Sequence, residues 1–403
     1  PGDTVSARVT ADKGRYLLAE TAEVLAPSPD RVDAPCPFVG TCGGCQWQHI
    51  SYAAQLRAKR LIVSDALTRI GGLDAACVAD VVPSPLEYAY RNKVELAVTI
   101  DDAGRLVAGF TARHGSAPAP VTSCLLLPKR TRTAPKSLSG ALRYLARGGE
   151  LGIDRAAVRV AANTADIEVA LWTHPSGFPR QAAAKVLAEA VAATGVARVI
   201  YRGTLKERTV VRTEVLSGRG FWRERVGDCE FAVSPPSFFQ VNTGAAEALT
   251  AAVLDAASVD GSDRVCDLYA GVGTFTLPLA AAAGEVVAVE ASSHAVRDLR
   301  RNLESARMDA DVIGGDAAIE ATGLGSFDVM VVDPPRTGLA PAALAAVATA
   351  ATRTIVYVSC DPPTLARDAA ALAQAGWTLV AAVPVDLFPQ TYHTEVVARF
   401  ERS

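Results

Sequence analysis

The chain has 403 residues, of which half are hydrophobic and 21% are charged, and its formal net charge is −3. This composition excludes a disordered protein and supplies enough apolar material for two or three domains with a large buried core. Because no apolar run reaches the roughly 18 to 20 residues of a membrane span and the first residues lack secretory-signal features, we expect a soluble cytoplasmic protein.

The N-terminal half predicts two regions. Residues 1–30 contain two short strands, V-S-A-R-V-T and Y-L-L-A-E-T-A-E-V-L, and are too few for a domain. Residues 31–230 have an α+β pattern with alternating strands such as R-N-K-V-E-L-A-V-T-I and A-D-I-E-V-A-L-W, and an Ala-rich helix near 181–193. This region opens with a long amphipathic helix, within 51–72, that we expect to pack on the C-terminal domain.

Three cysteines are clustered in the segment C-P-F-V-G-T-C-G-G-C, at Cys36, Cys42 and Cys45. This clustering favours metal ligation over a disulfide framework, and therefore a reducing compartment. The spacing alone also permits zinc, with His49 as the fourth ligand. Outside this segment, three cysteines fit small buried apolar residues: Cys77, Cys229 and Cys266.

Basic side chains are concentrated in two stretches although the whole chain is slightly acidic. The longer stretch contains no acid before Glu150 and consists of Lys129, Arg130, Arg132, Lys136, Arg143 and Arg147. The shorter one has two interleaved aromatic residues and consists of Arg219, Phe221, Trp222, Arg223 and Arg225. Both could follow a phosphate backbone, whereas the simpler interpretation is a solvated surface.

From residue 231 to 403 strands alternate with helices, as in a doubly wound parallel sheet. Seven strands can be marked, in R-V-C-D-L-Y, E-V-V-A-V-E, A-D-V-I-G-G-D, F-D-V-M-V-V-D, T-I-V-Y-V-S, W-T-L-V-A-A-V-P-V and T-E-V-V-A-R-F. The last two are close enough in the chain to pair antiparallel. The α/β pattern therefore favours a class I S-adenosylmethionine methyltransferase over a plain dinucleotide-binding fold.

A glycine loop follows the first of these strands in D-L-Y-A-G-V-G-T-F-T, with Gly271 and Gly273 placed where backbone can approach a ligand closely. Glu290 ends the second strand, where a carboxylate can bind ribose hydroxyls, and Asp316 after the third fits a contact to adenine. The same layout serves NAD. Since Thr276 replaces the third glycine of the NAD motif, S-adenosylmethionine, which has no phosphate, fits better.

Two further strand ends face the same crevice. The fourth strand ends in V-V-D-P-P-R with Asp333, and the fifth ends in S-C-D-P-P with Cys360, which follows its strand as a nucleophile would. Glu395 opens the last strand, where a charged residue is ordinary by itself, and His393 fits a local hydrogen bond. A thiol and a carboxylate at one edge nevertheless suit methylation of a pyrimidine carbon, which needs a thiolate and a base.

With these motifs in order, the chain resembles the RNA uracil-5 methyltransferases, and within them the bacterial iron-sulfur branch that carries a TRAM domain. The resemblance rests on C-P-F-V-G-T-C-G-G-C-Q-W-Q-H, S-F-F-Q-V-N, D-L-Y-A-G-V-G-T-F, D-P-P-R and S-C-D-P-P-T. It implies that Cys360 is the nucleophile and Glu395 the base. It also implies a pocket for the cofactor and the target base, lined by Gln240, Tyr269, Gly271, Gly273, Thr274, Glu290, Asp316 and Asp333.

The same resemblance implies a [4Fe-4S] cluster held by Cys36, Cys42, Cys45 and the distant Cys124, since thiolates are the ligands that such clusters prefer. Two features depart from the family. Thr274 stands where Asn is usual, and only the later strands of the TRAM β-barrel precede Pro27.

The implied activity is S-adenosylmethionine-dependent methylation of uridine carbon 5 in RNA, with 23S ribosomal RNA favoured and the transfer-RNA T loop as the alternative. A small-molecule methyltransferase and a non-catalytic iron-sulfur RNA-binding protein stay open as other classes. The chain shows no heptad pattern, so we expect a monomer.

Overall fold

The computed structural model describes residues 2–113, 115, 117–204 and 208–402. Within these residues the α-helices are α1 Tyr52–Arg69, α2 Ala134–Leu145, α3 Arg180–Val191, α4 Thr243–Ala257, α5 Thr276–Ala280, α6 Ser293–Ala306, α7 Ala317–Glu320, α8 Pro341–Ala350 and α9 Pro362–Gln374. Short 3-10 turns lie at Ala75–Cys77, Lys129–Thr131, Ala146–Gly148 and Ala321–Gly323.

The described strands follow the predicted order along the chain. Those before residue 234 are β1 Thr4–Asp12, β2 Leu17–Ala26, β3 Lys93–Ile100, β4 Leu106–Thr111, β5 Pro118–Ala119, β6 Ile153–Val160, β7 Ile167–Thr173, β8 Gly195–Gly203, β9 Arg208–Ser217, β10 Trp222–Val226 and β11 Cys229–Val233. Those after it are β12 Arg264–Leu268, β13 Glu285–Glu290, β14 Asp311–Gly314, β15 Phe327–Val332, β16 Ala351–Ser359, β17 Trp377–Val385 and β18 Glu395–Arg402.

The C-terminal sheet has the strand order β14-β13-β12-β15-β16-β18-β17 among the described residues. The first five strands are parallel, and β18 is antiparallel to both of its neighbours. This seven-stranded mixed sheet confirms the predicted class I methyltransferase fold. In β16 the run from Ile355 to Val358 is fully buried, because helices cover both faces of a doubly wound sheet.

Helix α1 joins the core of the C-terminal sheet, although it lies far upstream in the chain. Its Val63 and Leu67 are buried in the same apolar cluster as Leu365 and Ala369 of α9. Apolar residues four apart lie on one face of a helix, so the amphipathic pattern of α1 is explained by this contact.

The central sheet has the order β5-β4-β3-β6-β7-β8-β9 within the described residues. Its strands are antiparallel except for β7 and β8, which are parallel because α3 connects them. Helices α2 and α3 cover one face, where Leu138, Leu142 and Leu187 pack with Val158 and Leu171.

Two hairpins flank these sheets. Within residues 2–30, β1 and β2 form an exposed antiparallel hairpin, and the partial TRAM barrel stays a prediction. The β10–β11 hairpin packs Trp222 and Phe231 against Leu299 and Leu303 of α6. The predicted divisions 1–30, 31–230 and 231–403 also stay predictions. Their outermost residues, Pro1 and Ser403, lie outside the described residues, and the boundary at 230 falls inside β11.

In the part of the chain that the structure describes, no helix combines the length and the apolar character needed to cross a bilayer.

Candidate active site and cysteine cavity

The carboxyl ends of the parallel strands bring the predicted site residues to one edge of the C-terminal sheet. Tyr269 follows β12, Glu290 ends β13, Asp316 follows β14, Asp333 follows β15 and Cys360 follows β16. The strand order reverses between β12 and β15, and open α/β sheets bind their ligands outside the carboxyl ends at such a point.

The glycine loop has open space beside Gly271. This residue has φ 58°, and a Cβ placed on it would meet no atom within 4 Å. Its N–H donates to Glu290 Oε2 at 2.9 Å, and Ser292 N–H donates to Oε1 at 2.6 Å, so Glu290 is held between two loops. A Cβ on Gly273 would lie 2.5 Å from Leu299 Cδ1, so this glycine permits close packing of the loop on α6.

Thr276 anchors the loop to β12, because its hydroxyl donates to Asp267 Oδ2 at 2.6 Å. Asp267 is fully buried, and burial raises the pKa of its carboxyl to about 7. Its Oδ1 has no hydrogen-bond partner among the described residues. Tyr269 has φ 66°, a backbone conformation that residues other than glycine rarely adopt. Strained backbone of this kind is concentrated at ligand sites.

Three of the remaining four predicted cofactor residues differ in exposure. Gln240 is buried, and its carbonyl oxygen accepts a hydrogen bond from Asn92 Nδ2 at 2.8 Å. Thr274 is half-buried in the glycine loop. Asp316 is exposed, and its carboxylate caps α7 by accepting from Ala318 N–H at 2.9 Å.

Cys360 and Glu395 are brought to the same edge by the antiparallel pairing of β16 with β18. Ser359 pairs with Val396, so Cys360, which follows Ser359, and Glu395, which precedes Val396, lie at the same end of the pair. Glu395 is buried, and burial raises the pKa of its carboxyl to about 7. Burial, with the nearby charge of Glu395, raises the pKa of the half-buried Cys360 thiol to about 11.

Arg336, which ends the D-P-P-R motif, is a cation at this edge that was absent from the sequence-based predictions. It is exposed, and its carbonyl oxygen accepts from the Thr364 hydroxyl at 3.0 Å. Its charge and a side-chain hydrogen bond oppose the rise in the Cys360 pKa, and the charge also opposes the rise in the Glu395 pKa. Arg336 therefore favours the ionised forms of both groups.

The segment 386–394, which we call the catalytic loop, precedes Glu395 and is anchored by a buried lysine. Lys59 Nζ donates to Asp386 Oδ1 at 2.5 Å, to the carbonyl of Phe388 at 3.1 Å and to that of His393 at 2.7 Å. The sequence carries one signal for this anchor: Lys59 lies four residues before Val63, on the apolar face of α1.

Two exposed aromatic side chains, one shortly before Gln240 and one in the catalytic loop, were absent from the sequence-based predictions. Phe238 is 68% exposed, and Tyr392 is 50% exposed with its ring 4.5 Å from that of His393. The backbone N–H of His393 donates to the Thr391 hydroxyl at 3.3 Å, and burial lowers the pKa of its imidazole. Exposed aromatic rings of this kind can stack on unpaired bases.

A cavity of about 250 Å³ is lined by the four predicted cluster ligands, Cys36, Cys42, Cys45 and Cys124. Gly43 N–H donates to the carbonyl of Thr111 at 3.0 Å, which joins the cysteine segment to the end of β4. The set of residues lining this cavity does not include His49, the fourth ligand of the zinc alternative.

The electrostatics of the cavity are unfavourable for bare thiolates. Burial raises the pKa of the Cys42, Cys45 and Cys124 thiols, in Cys45 to about 11, and the neighbouring cysteines raise them further. Among the described residues, no group of three or more His, Cys, Asp and Glu side chains is arranged to hold a single metal ion. Of the other cysteines, Cys266 is buried as predicted, whereas Cys77 and Cys229 are half-buried.

The longer basic stretch presents an exposed stripe along α2 and the turn after it. Lys136, Arg143 and Arg147 are exposed and are spaced so that they share one helical face. In the shorter stretch, by contrast, Asp166 binds Arg219 at 2.5 Å, and Trp222 is a core residue that is only 1% exposed. The α2 stripe is therefore the better candidate for phosphate contacts.

Two family patterns match the C-terminal part of the chain. The Methyltransferase small domain matches residues 237–355, and tRNA (Uracil-5-)-methyltransferase matches residues 319–402. The chain is also 36% identical to a protein of Chlorobaculum tepidum named uncharacterized RNA methyltransferase, over 100% of this chain and 90% of that protein. A protein of the same name in Halalkalibacterium halodurans is 34% identical over 100% of this chain and 90% of its own length.

A solved structure shows similarity over both sheets. The crystal structure of Pyrococcus abyssi tRNA (uracil-54, C5)-methyltransferase in complex with S-adenosyl-L-homocysteine matches with a TM-score of 0.75 and 27% identity. The match covers 99% of this chain and 93% of that one.

Proposed function

The chain belongs to the RNA uracil-5 methyltransferase family, whose reaction depends on S-adenosylmethionine, and we propose that it methylates a uridine through a covalent bond to Cys360. The observation that carries this proposal is the β16–β18 pairing, which brings the Cys360 thiol and the buried Glu395 carboxyl to one edge. Methyl transfer to oxygen or nitrogen needs no such nucleophile and base, whereas methylation of an unactivated pyrimidine carbon needs both.

In this mechanism the Cys360 thiolate adds to carbon 6 of the uracil, and the electron pair of the 5,6 double bond moves towards carbon 5 and oxygen 4. S-adenosylmethionine, when bound, would supply the methyl group for carbon 5 and would leave as S-adenosylhomocysteine once its S–CH3 bond breaks. Glu395 removes the proton from carbon 5, the C–H electron pair restores the double bond, and the S–C6 bond breaks to release the Cys360 thiolate. Arg336 favours the thiolate at the start and at the end.

The predicted cofactor residues fit S-adenosylmethionine. Gly271 leaves space for a ligand against the backbone, and Tyr269, Glu290 and Asp316 lie around the same strand ends. Gln240, Thr274 and Asp333 complete the proposed pocket. Thr274 stands in place of the usual Asn, so its hydroxyl would make any contact at this position.

We propose that Cys36, Cys42, Cys45 and Cys124 hold a [4Fe-4S] cluster. Their thiols converge on one cavity, and a cluster would stabilise thiolates whose repulsion and burial are otherwise unfavourable. The cluster would have a structural role, since methyl transfer needs no electron transfer. Iron and sulfide analysis of protein purified without air tests this proposal, and a Cys42→Ser variant should lose both.

The proposed RNA-binding region is the central domain, residues 31–230, with phosphate contacts along the α2 stripe. We propose that one uridine leaves its stack to reach Cys360. The favoured substrate is 23S ribosomal RNA, and the alternative is the T loop of transfer RNA, which the similarity to a tRNA (uracil-54, C5)-methyltransferase supports. Membership of an RNA methyltransferase family is at odds with the small-molecule and non-catalytic alternatives. We also propose a monomer in the cytoplasm, where thiolate ligands stay reduced.

Incubation with radiolabelled S-adenosylmethionine and separate pools of ribosomal and transfer RNA, followed by nucleoside analysis, tests the reaction and the substrate together. Label in 5-methyluridine from one pool identifies that substrate class. Label in another nucleoside, or in neither pool with cluster-loaded protein, would contradict the proposed function.

A further inference from the structure

The cysteine segment is hydrogen-bonded directly to the catalytic loop. The N–H groups of Gln46 and Trp47, the two residues after Cys45, both donate to the carbonyl oxygen of Gln390 at 3.0 Å. Gln390 precedes Glu395 by five positions and is only 2% exposed. The proposed cluster ligand and the proposed base are therefore joined by a short, buried path.

A pair of side-chain amides reinforces this contact. Gln55 of α1 is fully buried, and its Nε2 donates to Gln390 Oε1 at 3.0 Å while its Oε1 accepts from Gln390 N–H at 2.9 Å. The same Nε2 lies 3.2 Å from the carbonyl oxygen of Trp47 and 2.9 Å from that of Ile50. Gln55 thus contacts both the end of the cysteine segment and the catalytic loop.

The catalytic loop needs such support. Gln390 has φ 71°, a backbone conformation that residues other than glycine rarely adopt. Such a conformation persists only where the surrounding structure holds it. A further contact comes from Tyr90, whose hydroxyl donates to the carbonyl of Pro389 at 3.0 Å and whose neighbour Arg91 lines the cysteine cavity.

We propose that Gln55 and Gln390 are positioning residues that transmit the state of the cysteine segment to Glu395. When the cysteine segment is ordered, it holds Gln390 in place, and Glu395 is thereby held against carbon 5. When the cysteine segment is disordered, Gln390 and Glu395 both lose this support. This inference rests on the proposed function, because it takes Glu395 as the base. The cysteine site would then contribute to methylation by holding the base in position, a role that requires no electron transfer.

The experiment uses the full chain with Gln55→Asn and Gln390→Asn, which shorten the amides while Asn still tolerates positive φ. We expect kcat to fall by about ten- to 100-fold, since a displacement of about 1 Å at a reacting group has an effect of this size. The KM for RNA and the affinity for S-adenosylmethionine should stay within about twofold, and the methylated Cys360–RNA adduct should accumulate because proton removal is the step affected.

The second readout is amide hydrogen exchange over residues 391–395. Exchange at these residues should be faster in both Gln variants and in Cys45→Ser. The double variant Cys45→Ser with Gln55→Asn should exchange little faster than either single variant, because both changes act on the same path. The control is Thr349→Ala on α8, which removes an exposed hydroxyl bonded to the carbonyl of Ala345 at 2.8 Å and lies outside both segments and outside residues 31–230. It should leave kcat and this exchange unchanged.

Wild-type kcat and adduct levels in both Gln variants, with unchanged exchange at 391–395, would overturn the inference while leaving the proposed function intact. If a Gln variant fails to fold, Cys45→Ser decides by the same exchange readout. Failure of the proposed function has a different signature, namely turnover by a Cys360→Ala enzyme.

Discussion

Lys59 of α1 and Asp386, the first residue of the catalytic loop, form an ion pair, with Nζ 2.5 Å from Oδ1 and both side chains fully buried. The two residues are 327 positions apart in the sequence. The pair fastens a helix from the N-terminal half of the chain to the loop that leads into Glu395, so the active edge is built by both halves.

Lys59→Ala should destabilise the protein by about 3–5 kcal/mol, because it leaves the Asp386 carboxylate buried without its partner. Chemical denaturation measures this destabilisation. The control is Arg57→Ala on the same helix, whose pair with Asp30 at 2.7 Å is largely exposed and should contribute about 1 kcal/mol or less. Equally small losses of unfolding free energy in both variants would show that the buried pair contributes no more to stability than the exposed pair.

Cys360→Ala should abolish the covalent RNA adduct and turnover, because it removes the thiol that the proposed mechanism adds to carbon 6. Binding of S-adenosylmethionine, measured by calorimetry, should be nearly unchanged. Cys77→Ala, which removes a half-buried thiol whose Sγ bonds the carbonyl of Asp74, is the control and should stay active. Full activity of Cys360→Ala would exclude the covalent mechanism.

Activity should rise with pH through about 7, where the raised pKa of Glu395 lies. Below that pH the carboxyl is protonated and cannot accept the carbon-5 proton, so kcat should fall towards about tenfold per pH unit. Glu395→Gln should remove this dependence and trap the methylated adduct, which gel electrophoresis of denatured complexes detects. Rapid release of methylated RNA by that variant would assign the base elsewhere.

Arg336→Ala should slow both formation of the adduct, which needs the Cys360 thiolate, and its breakdown, which needs an ionised Glu395. The guanidinium opposes the rise in the Cys360 pKa, so its removal leaves less thiolate at neutral pH. The deficit should shrink as pH rises, because alkali then supplies the thiolate. Arg336→Lys keeps the charge and should retain more activity than Arg336→Ala. A deficit that is constant across pH would argue for a different role.

Lys136→Ala and Arg143→Ala should weaken RNA binding. Each should also lower the slope of log affinity against log salt by about 0.7 to 0.9 for every phosphate that the variant no longer neutralises. Both side chains are exposed on the α2 stripe. Arg212→Ala is the control, since this exposed residue is already paired with Glu214 at 2.7 Å. The same salt slope in all three variants would remove α2 from the RNA path.

Local sequence patterns were enough to predict the α/β order of the C-terminal sheet and the strand-end positions of Cys360, Asp333 and Glu290. Alternation, helical period and strand-end motifs are local properties, so a few neighbouring residues specify them. The grouping of Cys36, Cys42 and Cys45 is also visible in a short stretch of sequence. The position of Cys124 in the same cavity, by contrast, could be predicted only from the family resemblance.

The distant residues that surround Glu395 are set by tertiary packing. The contacts of Lys59 with Asp386 and of Gln55 with Gln390 join parts of the chain more than 300 residues apart. Their partners depend on how α1 packs on the sheet, which no local pattern encodes. Burial, too, is a property of the whole fold, and it raises the pKa of Glu395 into the range where a carboxylate can act as a base near neutral pH.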